Sequence, residues 1–92
     1  MAKAQTLAQV FKLLSDETRV RILQILKHRP LCVTELTSQL GITCSATSQH
    51  LRLLRQAGIL KTIKQGPFVY NLPDKKKMSL LKKAADELLS IN

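Results

Sequence analysis

The tripeptide Gly41-Ile42-Thr43 limits what this chain can fold into more than any other feature. On its N-terminal side, "CVTELTSQL" places Val33, Leu36 and Leu40 on one helical stripe, with Gly41 as the C-terminal stop. On its other side Thr43 can cap a second helix that runs to about Ala57. Two helices joined by so tight a turn form a helix-turn-helix. The second helix opens oddly. In "SATSQHLRLLRQAGIL", residues 45 to 60, the small or polar Ser45, Ala46, Thr47, Ser48 and Gln49, with His50, precede the first leucine, Leu51. A helix that delays its apolar stripe leaves its first turns free to be read by a partner.

The flanking segments supply the remaining elements. Leu7, Val10, Phe11 and Leu14 fall at i, i+3, i+4 and i+7, which predicts a first amphipathic helix over residues 4 to 14. "SDETRVRILQILKHRP" offers Ser15 or Asp16 as N-cap and Lys27, His28 and Arg29 in the last turn, in line with the helix dipole. Its Val20, Ile22, Leu23, Ile25 and Leu26 cover more than one face, so this second helix is expected to be buried on two sides. Beyond Gly58, β-branched and aromatic residues flank "KQGP", the composition of a hairpin. A last helix begins at Asp74 and carries Met78, Leu81, Ala84, Ala85, Leu88 and Leu89 at helical spacing. The sum is a mostly α chain with a small β-hairpin, ordered α1-α2-α3-α4-β1-β2-α5: a winged helix-turn-helix, expected as a single domain over residues 1–92.

Charge narrows the partner. Fifteen Lys and Arg stand against six Asp and Glu, a net +9 on 92 residues, so a polyanion is indicated. A membrane surface competes, but no apolar run is long enough to span a bilayer and no secretory leader is read at the start. A cytoplasmic protein is expected, and two cysteines fit that compartment better than a secreted disulfide framework. An enzyme is not expected. Six carboxylates, mostly at helix starts, and two unpaired His form no nucleophile-and-base or paired-acid constellation.

Double-stranded DNA is therefore the expected partner, met by the polar end of the fourth helix. Ser45, Thr47, Ser48, Gln49 and Arg52 are the candidate contacts there, with Lys64 and Gln65 on the wing. Gln pairs with adenine through two hydrogen bonds, and Ser or Thr serves bases or phosphates. His50 is assigned to packing or a phosphate rather than to a metal, since no second ligand stands at i+3 or i+4.

On these residues the chain resembles the ArsR/SmtB family of transcriptional repressors. "LLSDETRVRIL" is similar to that family's second-helix signature, "LCVTELTSQLGI" to its third helix, and "SATSQHLRLLRQAGIL" with "KQGPFVYNL" to its recognition helix and wing. The resemblance implies a homodimer joined by the first and last helices, bound to an inverted-repeat operator until an effector releases it. Leu7, Val10, Leu81, Ala85 and Leu88 are the expected dimer contacts. Leu80 and Ile91 lie beside the main face of the last helix, so a monomer would leave leucine exposed.

The family's metal ligands are largely missing. Arsenical and heavy-metal sensors of the family often carry Cys-Val-Cys at the third helix, whereas this chain reads Cys32-Val33-Thr34. Zinc-type sensors place His and carboxylates on the last helix, which here has Asp74, Asp86 and Glu87 without His. No metal site or cofactor is expected. Cys32 stands where a cap would, three residues before Glu35, and Cys44 begins the fourth helix in basic surroundings that favour its thiolate. Two alternatives stay open: a thiol- or metal-responsive repressor using Cys32 or Cys44, and a winged-helix protein-interaction module without specific DNA binding.

Overall fold

Three helices begin on side-chain caps that the sequence places. In the computed structural model, which describes residues 3–91, Asp16 accepts from the Arg19 N–H at 3.0 Å, Thr43 Oγ1 from Ala46 N–H at 3.0 Å, and Asp74 from Lys77 N–H at 2.9 Å. The elements are α1 (Ala4–Leu13), α2 (Glu17–Leu26), α3 (Val33–Leu40), α4 (Cys44–Gln56), β1 (Leu60–Gln65), β2 (Phe68–Pro73) and α5 (Lys75–Leu89). This is the expected order of a winged helix-turn-helix. Gly41 ends α3 with φ +70°, a left-handed backbone that a side chain would strain.

Boundaries differ at two places. α2 stops at Leu26, so Lys27, His28 and Arg29 lie past its last turn instead of inside it. Pro30 disfavours helical backbone at Arg29, and His28 N–H already turns back to the Ile25 carbonyl at 3.2 Å. In the hairpin, Lys64 and Gln65 belong to β1, paired with Val69 and Phe68, leaving Gly66 and Pro67 alone as the turn. Gly66 carries the positive φ, +60°, that such a tight reversal needs.

The core is built from Ile22 and Leu26 of α2, Leu36 and Leu40 of α3, Leu51 and Leu54 of α4, with Leu31, Ile59 and Leu60 from the connections and wing base. Each is an ordinary hydrophobic-burial contribution of about 1.5–3 kcal/mol. The expectation that α2 is buried on two sides is only half met. Val20 remains 38% exposed because the space beside it is an open groove of about 680 Å³, lined by Leu14, Val20, Leu23, Leu72 and Met78 among others.

One pairing escaped the sequence reading. Leu31 forms an antiparallel bridge to Asn71, with backbone bonds of 3.2 and 2.8 Å, and the Asn71 side-chain amide also donates to the Leu31 carbonyl at 3.2 Å. The α2–α3 connection thus clamps the base of the wing. α5 is the opposite case: it has no buried residue, and its Leu80, Leu88 and Leu89, like Ile91 just past its end, are exposed. Among the described residues, no helix is long and apolar enough to cross a membrane.

Candidate nucleic-acid interface

α4 divides its residues by helical angle, at about 100° per residue. Thr47, Leu51 and Leu54 share the inward face and are wholly buried. Ser45, Ser48, Gln49 and Arg52 share the outward face and are exposed, and Arg55 and Gln56 extend the same row. The late leucines follow from this division: the first turns of α4 project past the core, and the later ones pack into it. No acidic residue stands in the first turn, so the positive end of the helix dipole is left unopposed beside the row.

Two of the expected DNA contacts are used otherwise. Thr47 is fully buried: its hydroxyl accepts from Thr37 Oγ1 at 2.9 Å and donates to the Thr43 carbonyl at 2.9 Å. It falls one helical step from Ser48, and that step carries it from the solvent face to the core face. His50 is half-buried on the rear of α4, where its Nδ1 lies 3.3 Å from the Arg19 guanidinium. Of the two roles expected for His50, packing or a phosphate contact, this placement favours packing.

Within the outward row, Arg52 Nη2 donates to Gln49 Oε1 at 3.0 Å. This bond uses one lone pair of the amide oxygen and leaves the other, with both amide hydrogens, for a base edge. On the wing, Lys64 and Gln65 are exposed at the end of β1, and Lys61 is exposed on the same strand. Arg55 and Lys61 are exposed cations beside this row that the sequence pattern did not single out; Arg55 lies at i+3 from Arg52 and i+7 from Ser48.

The two thiols are free and sit in different settings. Cys32 is the N-cap residue of α3, half-buried; its backbone N–H and its thiol both donate to Glu35 Oε1, at 3.1 and 3.2 Å. These bonds hold the Glu35 carboxyl below the usual carboxylate range, the backbone N–H contributing most and the thiol next. Asp16 is likewise held down, first by the Arg19 backbone N–H and then by the nearby Arg19 charge. Cys44 is exposed at the first position of α4.

The expected dimer contacts also separate. Leu7, Leu81 and Ala85 are half-buried and Leu88 is exposed, whereas Val10 is 6% exposed and packs into the chain's own core. On α1 the neighbouring Phe11, 41% exposed, presents the free apolar surface instead.

A tight two-helix turn, an outward polar row on the second helix and a basic two-stranded hairpin define a winged helix-turn-helix protein. The chain belongs to the arsR family of bacterial regulatory proteins, whose model matches residues 16–62, from the α2 cap into β1. It is 36% identical over 87 residues to the transcriptional repressor SmtB homolog of Synechocystis sp., covering 94% of this chain and 66% of that protein. It is 35% identical over 91 residues to an HTH-type transcriptional regulator of Methanocaldococcus jannaschii, covering 96% of this chain and 100% of that one. The solved structure of an ArsR-like transcriptional regulator from a Rhodococcus species is similar with a TM-score of 0.81 at 26% identity, over 91% of this chain and 79% of that chain. The chain spans about two thirds of the length of the SmtB homolog. The family is one of transcriptional regulators, not of enzymes.

Proposed function

We propose that this chain acts in the cytoplasm as a homodimeric, sequence-specific DNA-binding repressor of transcription, with DNA and dimer surfaces in one domain. The observation that carries the reading is the exposed row Ser45, Ser48, Gln49 and Arg52 on a chain of net charge +9. A recognition helix contacts base edges through its N-terminal residues in the major groove. Gln49 is the base reader, Ser45 and Ser48 serve bases or phosphates, and Arg52, Lys64 and Gln65 meet the backbone from helix and wing.

The unburied apolar side chains of α5, with Phe11 of α1, support a second copy as the dimer partner. A two-fold dimer presents its recognition helices about one helical turn of DNA apart, so the operator is an inverted repeat on successive major grooves. Selection on random duplexes followed by footprinting tests this; a single asymmetric site would count against it. If about 6 to 10 phosphates are neutralised, raising salt from about 50 to 200 mM costs roughly a thousandfold in affinity or more. Leu88→Asp, read by sedimentation, should yield monomers that bind the operator poorly.

A second reading concerns control. The exposed Cys44 at the head of α4 favours a thiol-responsive repressor, tested by operator binding before and after stoichiometric oxidation followed by mass spectrometry.

A further inference from the structure

Arg19, half-buried in the first turn of α2, touches three helices. Its backbone N–H donates to the Asp16 carboxylate at 3.0 Å. Its Nε donates to the main-chain carbonyl of Leu13, the last residue of α1. Its Nη1 lies 3.3 Å from Nδ1 of His50 in α4, a contact that the guanidinium donates in the tautomer that leaves Nδ1 without a proton. The guanidinium is a rigid planar fork, so bonding one nitrogen to the end of α1 and another to α4 fixes the distance between those two attachments.

His50 grips α4 from the rear. By helical angle it lies roughly opposite the middle of the outward row of Ser45, Ser48, Gln49 and Arg52. Leu51 and Leu54 hold α4 against the core, but apolar contact is non-directional and resists sideways motion better than roll about the helix axis. A roll of about 10° moves a side-chain atom about 6 Å from the axis by about 1 Å. That displacement exceeds the roughly 0.5 Å window of a base-edge hydrogen bond. A lysine reaching a phosphate follows such a shift by rotamer change.

We propose that Arg19 is a positioning residue for sequence recognition: through His50 it sets the roll of α4, and through the Leu13 carbonyl it ties that roll to α1. The proposal rests on the DNA-binding reading above, in which α1 belongs to the dimer surface. A change in how two copies meet is thereby transmitted to the reading row without passing through the core.

The test uses the full chain and the operator obtained by selection, with affinities for operator and random duplex measured by fluorescence anisotropy beside the melting temperature. Arg19→Lys keeps the charge but loses the fork, and His50→Phe keeps a ring but loses the acceptor. Each should weaken operator binding by about tenfold, the scale of one good base contact, while random-duplex affinity changes by less than about twofold. His50→Gln supplies a new acceptor and should restore most of the discrimination. The double variant Arg19→Lys/His50→Phe should be no worse than either single one, because both remove the same strut. An unchanged operator-to-random ratio in Arg19→Lys overturns the proposal, as does an equal loss for both duplexes with a lowered melting temperature. A wild-type chain that selects no operator overturns the recognition reading itself and this proposal with it; an operator-binding wild type with an indifferent Arg19→Lys overturns the strut alone.

Discussion

Thr37 Oγ1 donates to Thr47 Oγ1 at 2.9 Å, and Thr47 passes the chain on to the Thr43 carbonyl, so α3 and α4 are joined by two hydroxyls beneath their turn. Thr47 is thus part of the joint and not of the reading surface. Thr47→Val keeps the shape of the side chain and removes the bonds, which should cost about 1 kcal/mol and lower the melting temperature by roughly 4–8 °C. The ratio of operator to random-duplex affinity should not move. A selective loss of operator binding at unchanged melting temperature would return Thr47 to the interface.

Gln49 and Lys64 should fail in opposite ways. Gln49→Ala is expected to weaken the cognate site by about 1 to 3 kcal/mol and leave random duplex nearly unaffected. Arg52 loses its 3.0 Å partner in that variant, and part of the effect comes from the freed guanidinium. Lys64→Ala should weaken all duplexes together and make the slope of log affinity against log salt shallower by about one. Anisotropy titrations over a salt series separate the two, and identical behaviour would mean that base and phosphate contacts are wrongly sorted.

The capping of α3 predicts an acid limb of stability. Glu35 is held below its ordinary value by the Cys32 N–H and thiol, so its contribution is fully present above the unfolded-state value and is lost as pH falls through the folded one. Asp16, lowered chiefly by the Arg19 N–H, adds to the same limb. Glu35→Gln should therefore be less stable than wild type near neutrality, with the gap closing as pH drops from about 5 to 3. Thermal melts across that range check it; a gap that widened on acidification would contradict the assigned bonds.

The two thiols should act separately. Cys32 caps α3 and Cys44 opens α4, with an eight-residue helix of about 12 Å between them. In a Cys32→Ser background, where serine is the better cap, a bulky maleimide on Cys44 should abolish operator binding, while unmodified Cys32→Ser binds as wild type does. Mass spectrometry confirms the single adduct. Retained binding by the fully modified protein would show that the head of α4 stands clear of DNA.

The architecture was legible because each boundary rests on local chemistry: Asp16, Thr43 and Asp74 cap, Gly41 and the Gly66-Pro67 pair turn, and the apolar periods change from helix to strand between them. The reading row was legible in part. Ser45, Ser48, Gln49 and Arg52 are exposed as expected, but composition alone could not sort Thr47 from Ser48, since both are small hydroxyl residues and only helical phase against Leu51 and Leu54 divides them. Val10 was misplaced for a similar reason: a single amphipathic stripe on α1 does not say which of its members face the chain's own core and which a second copy. The Leu31–Asn71 bridge and the Arg19–His50 contact join residues 40 and 31 positions apart, and no periodicity announces such pairs.

α5 is a fifteen-residue helix with no buried residue, and it starts on Lys75, Lys76 and Lys77, cations set against the positive end of its own dipole. Isolated helices shorter than about 12–15 residues are marginal in water even with favourable sequences, and α5 is only just at that limit. Met78 and Leu81 pack α5 against the chain's own core, so a second copy laid over Leu80, Leu88 and Leu89 would add to an order that is already begun. In the proposed dimeric repressor such a helix would make the protein meter its own dose: the threshold of action would lie in the abundance of the chain as well as in any signal that it receives.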